Sequence, residues 1–134
     1  AVFGLGTIND IFQSESLVGS TIILHDINEN SLKKIDEAAE KFRSMHILNF
    51  VIRPVSDRRE ALKDADFCVI SIEVGHRFDL WDMDWKIPQQ YGISQVYGEN
   101  GGPGGLFHSL RIIPPILEIC QKIVDIAPDA TVFN

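Results

Sequence analysis

The chain has 134 residues, of which 45% are hydrophobic and 23% are charged, as is ordinary for one globular domain. Its formal net charge of −7 argues against binding to nucleic acid or to an acidic membrane, because the chain has no basic stripe that could replace the counterions of such a partner. No apolar run approaches a bilayer's thickness and no signal peptide is recognisable, so we expect a cytoplasmic protein without membrane partners. Cys68 and Cys120 lie in apolar segments and are expected to be buried free thiols.

Strand and helix patterns alternate in the first half of the chain. Residues 1–3 form a short apolar run that predicts a strand ending at Gly4, and a brief helix is expected over 8–17. Thr21–His25 is a continuous apolar, β-branched run typical of a parallel strand buried on both faces. Leu32, Ile35, Ala39 and Phe42 then have the spacing of an amphipathic helix, with Lys33, Lys34 and Glu40 facing outward.

The alternation continues in the second half. Residues 49–55 predict a third strand, and residues 56–60 have a capping-box pattern that opens a helix through residue 62. Further along, the pattern predicts a strand over 67–72, a partial helix over 79–91, a long helix over 106–124 that two adjacent prolines are expected to kink, and a strand over 131–133. Strands and helices in this order indicate an α/β fold with a parallel sheet and right-handed crossovers.

Two short features match a dinucleotide-binding fingerprint. Gly4 and Gly6 follow the first predicted strand directly, where glycines would let the backbone approach a pyrophosphate. Asp26 ends the second strand, 20 residues beyond Gly6, where a carboxylate would accept hydrogen bonds from the adenosine ribose and repel a 2′-phosphate. The pattern therefore favours NAD over NADP. Asn9 occupies the third glycine position, and the following segment is short for a full helix, so we expect residues to be absent after Thr7.

A glycine-rich stretch runs from Tyr97 to Leu106, with glycines clustered around Pro103 and Glu99 at its mouth. Such backbone at the start of a helix leaves N–H groups free at the positive helix end, which suits an anion or a ligand hydroxyl. The alternative is an ordinary turn, for which glycine and proline clusters are typical.

Several motifs follow one another in a fixed order. They are Asp57-Arg-Arg-Glu-Ala-Leu62, Ala65-Asp-Phe67, Ile72-Glu-Val-Gly75, Ile87-Pro88, Tyr91-Gly92, Gly102-Pro-Gly-Gly105, Leu110-Arg-Ile-Ile-Pro114 and Pro128-Asp-Ala-Thr-Val-Phe-Asn134. The series resembles the NAD- and metal-dependent glycosidases of glycoside hydrolase family 4 and covers nearly the whole chain. The resemblance implies a Rossmann-type doubly wound parallel sheet of the lactate/malate dehydrogenase type. Residues 1–134 would be an incomplete NAD-binding domain of an enzyme some three times longer.

The family is an exception to two-carboxylate glycoside hydrolysis. As the resemblance implies, NAD takes hydride from C3 of a small glycoside, a tyrosine removes the C2 proton, and a divalent metal, usually manganese, stabilises the enediolate. The glycosidic oxygen leaves by elimination, water adds at C1, and hydride returns to C3. The tyrosine and the metal ligands lie beyond Asn134 in the family, so no metal ligand is expected in this chain. A homodimer or homotetramer is also implied.

The resemblance assigns roles to individual residues. Glu99, four residues before Pro103, matches an acid thought to raise the basicity of the catalytic tyrosine; alone it would be interpreted as a solvated loop carboxylate. Asn134 matches a substrate-binding asparagine. Trp81 stands where phospho-sugar members have arginine, which favours an unphosphorylated hexoside or hexuronide, since an aromatic ring stacks on a sugar but cannot pair with a phosphate. The residues predicted to contact the cofactor are Gly4, Gly6, Thr7, Asp26, Ile72 and Glu73.

Two other functions are compatible with the glycines and Asp26. One is an NAD-dependent 2-hydroxy-acid dehydrogenase of the lactate/malate type, which would leave the Gly102-Pro-Gly-Gly105 series unexplained. The other is a non-enzymatic NAD-binding sensor, which would cleave no glycoside under any combination of NAD, manganese and reductant.

Overall fold

A computed structural model describes residues 2–45, 49–98 and 100–134, including every side chain in these ranges except those of Val2 and Phe3. The chain divides into two compact units, the first comprising residues 1–68 and 126–131 and the second residues 69–125 and 132–134. Within the described ranges, no helix is both long enough and apolar enough to cross a membrane.

Helices and strands alternate along most of the chain, two helices follow one another before the last strand, and this mixture confirms the predicted α/β class. A single 3₁₀ turn, Glu15–Leu17, lies between the first helix and the first strand. The elements are α1 (Val2–Phe12), β1 (Thr21–His25), α2 (Glu29–Ser44), β2 (Val51–Val55), α3 (Arg58–Leu62), β3 (Phe67–Val69), α4 (Arg77–Gln89), α5 (Gly102–Ile126) and β4 (Thr131–Phe133).

The strands form two parallel pairs. β1 pairs with β2 in a register that runs from Thr21 opposite Val51 to His25 opposite Val55. β3 pairs with β4: the Thr131 amide donates to the Asp66 carbonyl at 2.9 Å, and the Ile70 amide donates to the Phe133 carbonyl at 2.8 Å. From the first bond to the second, the residue number rises on both strands, so this pair is parallel too.

The core of the first unit lies between β1 and helices α1 and α2. The Phe12 ring is fully buried and meets the Phe50 ring at a centroid distance of 5.1 Å. The other buried members are Ile8, Leu24, Leu32 and Ala39. The predicted face of α2 is confirmed, since Leu32 and Ala39 are buried whereas Lys33 and Lys34 are exposed.

The predicted strand over residues 1–3 is wrong for Val2 and Phe3, which begin α1. The helix runs without a break through Thr7 to Phe12, and the expected absence of residues after Thr7 stays a prediction. The physical reason is that Ile8 and Phe12, one helical turn apart, are both buried in the core.

Smaller corrections concern the ends of elements. Helix α3 is capped by Asp57, whose carboxylate accepts the Glu60 amide at 2.8 Å, and not by Ser56. Helix α4 begins at Arg77, before the predicted residue 79, and Pro88 lies in its last turn. Helix α5 already begins at Gly102 and continues through Pro114 and Pro115. The strands β2 and β3 are shorter than predicted.

Candidate functional site

Asp26 lies directly after the carboxyl end of β1, the edge at which parallel α/β sheets bind ligands. Its Oδ1 accepts the Asn28 amide at 2.8 Å, which fixes the carboxylate beside the start of α2. Its Oδ2 accepts no hydrogen bond from the described residues, and the side chain is half-buried. A fixed carboxylate with one oxygen available fits the ribose hydroxyls of NAD.

Gly4 and Gly6 lie within α1 and not in a loop after a strand. Neither residue has a positive φ, and a Cβ built on either would meet nothing within 4 Å. The strand–loop geometry expected for them is therefore wrong, because the described backbone is helical at both positions. A contact of Gly4, Gly6 or Thr7 with the cofactor stays a prediction, and it would have to be made from the surface of the helix.

Ile72 and Glu73 follow β3 in an irregular segment of the second unit. Ile72 is 37% exposed, whereas the Glu73 carboxylate is engaged by the Nε of Arg77 at 2.5 Å. Arg77 in turn lies over the ring of Trp81, with its guanidinium carbon 4.8 Å from the ring centroid. These contacts occupy Glu73 and leave its predicted contact with the cofactor untested.

Trp81 belongs to an aromatic cluster formed by side chains of α4 and by Tyr97, which we call the α4 aromatic cluster. Its ring meets those of Phe78 at 6.1 Å and Tyr97 at 6.0 Å, both edge to face, and Tyr97 also meets Trp85 at 5.8 Å. The Trp81 Nε1–H is buried without a hydrogen-bond partner among the described residues. The guanidinium of Arg77 covers one face of the ring, so a contact of Trp81 with a sugar stays a prediction.

The glycine-rich stretch does not present the row of free N–H groups that the sequence suggested. At the start of α5, Pro103 has no N–H, the Gly104 amide donates to the Gln95 Oε1 at 3.0 Å, and the Gly105 amide donates to the Gly101 carbonyl at 3.0 Å. Only the Gly102 amide in this first turn has no acceptor among the described residues. An anion at this helix end would therefore find few donors.

A buried ion pair joins α4 to α5, and the sequence reasoning missed it. Asp84 is 8% exposed, and both its carboxylate oxygens accept from the guanidinium of Arg111, with Nη1 to Oδ1 at 3.1 Å and Nη2 to Oδ2. The hydrogen bond that Arg111 donates to the Asp84 carboxylate raises the pKa of Arg111. The one sequence signal for this ion pair is the position of Arg111 within the Leu110–Pro114 motif.

The remaining predicted residues are placed as follows. Asn134 is exposed directly after β4, and Glu99 lies outside the described residues, so both roles stay predictions. Cys68 is buried, which raises the pKa of its thiol, and both it and Cys120 are free.

Among the described residues no group of three His, Cys, Asp or Glu side chains could hold a metal ion.

Comparison with known proteins identifies relatives over the whole chain. An alpha-glucosidase of Erwinia rhapontici is 63% identical over 134 residues, which is 100% of this chain and 30% of that protein. An alpha-galacturonidase of Thermoanaerobacter italicus is 36% identical over 127 residues, covering 95% of this chain and 27% of that protein. The chain thus spans about 30% of the length of the curated relatives it matches.

The fold is found in solved structures too. A 6-phospho-alpha-glucosidase from gut microorganisms, solved in complex with NAD and Mn²⁺, superimposes with a TM-score of 0.85 at 21% identity, covering 98% of this chain and 30% of that one. The predicted Rossmann-type parallel fold is thereby confirmed. The sequence model that describes the family 4 glycosyl hydrolases matches residues 1–134 of this chain. This match favours a glycosidase over the dehydrogenase alternative. The chain belongs to glycosyl hydrolase family 4.

Proposed function

We propose that the full-length protein is an NAD-dependent glycosidase that cleaves an unphosphorylated hexoside by oxidation at C3, deprotonation at C2 and elimination. The observation that supports NAD as the cofactor is the position of Asp26. Its carboxylate is held at the carboxyl end of β1 with one oxygen available. Family membership supports the reaction class. The substrate proposed first is an α-glucoside, since the alpha-glucosidase of Erwinia rhapontici is 63% identical to this chain.

The neutral ring of Trp81 supports an unphosphorylated sugar, because it cannot pair with a phosphate. A phosphate is bound in proteins by cations that can direct several N–H groups toward it. Arg77 adjoins the α4 aromatic cluster, but its Nε is paired with Glu73 at 2.5 Å and its guanidinium is stacked on Trp81. Pairing with Glu73 offsets part of the charge of Arg77, although its side chain is 48% exposed.

Each predicted residue then has a defined task. Asp26 accepts hydrogen bonds from the adenosine ribose and disfavours a 2′-phosphate. NAD, when bound, supplies a reversible oxidation of the sugar at C3. Glu99 raises the basicity of the tyrosine base, which lies outside this chain, and Asn134 binds a sugar hydroxyl. The ligands of the divalent metal are expected outside this chain, so none of the described residues is assigned to it.

The test uses the full-length protein with p-nitrophenyl α-glucoside, NAD, manganese and reductant in deuterated buffer. Deuterium at C2 of the released glucose is expected, because the C2 proton is removed and replaced in each turnover. Retention of the original hydrogen would refute the elimination mechanism. The matched 6-phosphate substrate should react more slowly, and a faster reaction would refute the unphosphorylated class. Failure to cleave any p-nitrophenyl glycoside would leave the NAD-binding sensor as the function.

A further inference from the structure

Helix α5 has one apolar face that is covered within the described chain. Ile123 is buried on this face, and the three other isoleucines that share it are half-buried. All four recur at the three- or four-residue spacing of one side of a helix. They are Ile112, Ile116, Ile119 and Ile123.

A second apolar face of the same helix is uncovered, and we call it the α5 stripe. It consists of Leu106, Leu110, Ile113, Leu117 and Val124, which are 52–62% exposed. At about 100° per residue, the α5 stripe is centred about 120° around the helix from the isoleucine face. It is about 27 Å long, at about 1.5 Å per residue. The two faces are therefore separate surfaces, and the packing of one leaves the other free.

The α5 stripe contains no charged side chain. The charged residues of α5 lie about 90° or more around the helix from the centre of the stripe. They are Arg111, Glu118, Lys122 and Asp125. Soluble proteins rarely expose contiguous apolar patches larger than a few hundred Å², and permanent interfaces are more apolar than reversible ones. An uncharged stripe beside a separate charged face is therefore typical of a surface that is permanently covered.

The length of the relatives favours the same polypeptide as the source of the cover. The chain spans about 30% of the length of the curated relatives it matches, so most of a full-length protein lies outside residues 1–134. A segment of the same polypeptide meets the stripe at a high effective concentration. A second copy would lose translational and rotational freedom on association, which opposes its binding. Coverage from within the polypeptide is therefore favoured over dimerisation.

We propose that the α5 stripe is the docking surface for an apolar segment of the same polypeptide that follows Asn134, and that this contact joins residues 1–134 to the rest of the full-length protein. The stripe is then covered at every protein concentration. The inference concerns the assembly of the polypeptide and does not depend on the glycoside that it cleaves.

The first experiment places the photo-crosslinking amino acid p-benzoylphenylalanine in place of Leu117 in the full-length protein. Irradiation is expected to join position 117 to a peptide beyond residue 134, while the protein keeps the mass of a monomer on a denaturing gel. The matched control carries the same amino acid in place of Lys122, on the charged face, and should give no such cross-link. A cross-linked dimer, a cross-link to a peptide within residues 1–134, or no cross-link from position 117 would overturn the inference.

The second experiment avoids the bulky group. Leu117→Ala removes apolar atoms from the stripe, and hydrogen exchange of the α5 amides in the full-length protein should become about fivefold faster or more, because truncating a covered leucine is costly. The acceleration should be the same at protein concentrations about 10-fold apart, since the contact lies within one polypeptide. The control Lys122→Ala should leave exchange unchanged.

Two outcomes of the exchange experiment would count against the docking surface. A smaller acceleration in Leu117→Ala would mean that nothing covers the stripe. An acceleration that depends on protein concentration would mean that a second copy covers it. Neither experiment measures catalysis, so the proposed function stands whichever result is obtained.

Discussion

Replacement of Arg111 by methionine is the most direct test of the energetics of the second unit. The substitution removes the cation and leaves the Asp84 carboxylate, whose side chain is 10% exposed, without its two guanidinium donors. The aliphatic part of the methionine still packs beside α4. The expected loss of stability therefore comes from an uncompensated buried charge and not from a cavity.

The magnitude follows from the burial of the pair. Breaking a buried ion pair by removing one partner costs about 3–5 kcal/mol. Because the side chain of Arg111 is 25% exposed, water can partly replace it, and we expect about 3 kcal/mol, the lower end of that range. At about 1.4 kcal/mol for each factor of 10, amides of α4 and α5 that exchange through a common opening should exchange about 100-fold faster.

The pH dependence of this contribution has a defined sign. The hydrogen bond that Arg111 donates to Asp84 raises the pKa of Arg111 above its ordinary value. The stabilisation from this shift is present below the ordinary value and is lost as the pH rises through the raised pKa. The guanidinium therefore stays charged across neutral and mildly alkaline pH. The ratio of exchange rates between variant and wild type should be the same at about pH 7 and about pH 9.

Hydrogen exchange read by mass spectrometry on the full-length protein measures the effect in α4 and α5 separately. The control Lys86→Met breaks an exposed pair with Asp82 on the same helix and should leave exchange unchanged. The double variant Asp84→Leu, Arg111→Met should return to within about 1 kcal/mol of the wild type, since no buried charge remains. The reasoning is refuted if Arg111→Met exchanges within threefold of the wild type, or if the double variant is no better than the single one.

Three further predictions use the same full-length protein or the 134-residue chain. Asp26→Ala should weaken NAD binding by about 1.5–3 kcal/mol and raise the relative affinity for NADP, measured by calorimetry; equal affinity of the wild type for both dinucleotides would contradict the role of Asp26. Burial raises the pKa of the Cys68 thiol, so iodoacetamide at about pH 8 should modify Cys68 more slowly than the half-buried Cys120, and equal rates in peptide mapping would contradict this. The 134-residue chain alone should self-associate in size-exclusion chromatography and release no sugar with NAD and manganese, because α5 exposes an apolar stripe; sugar release would place the catalytic residues within the chain. The stripe consists of Leu106, Leu110, Ile113, Leu117 and Val124.

The parts of the fold that the sequence predicted well are those with a repeating pattern. Helix α2 is predictable because Leu32, Ile35, Ala39 and Phe42 recur at helical spacing within its 16 residues. The run over residues 1–3 is too short for periodicity to separate a strand from the first turn of a helix, and the glycines that follow it favour a strand. The helix forms because it buries Ile8 and Phe12 in the core.

The candidate site was predictable where position along one element decides the role. Asp26 ends a strand, and the ends of parallel strands meet ligands, so its place followed from local pattern alone. The partner of Asp84 is 27 residues away, and that of Gln95 lies in another element. A single polar residue in an amphipathic segment has no local signal that tells a solvated side chain from a buried, paired one.

The close approach of Gln95 to Gly102 and Gly104 limits how this loop can be engineered. Replacing glycine by alanine is a common route to thermostability because it lowers the entropy of the unfolded chain, but it works only where the native backbone accepts a Cβ. At Gly102 the φ of 61° restricts the choice to residues such as asparagine, and a shorter side chain at position 95 would be needed as well. At Gly104 the Gly98 carbonyl would remain 3.0 Å from a Cβ whatever residue replaced Gln95. Thermostabilised variants of this protein should therefore keep glycine at position 104 and take their substitutions from the exposed surface of α2 or α3.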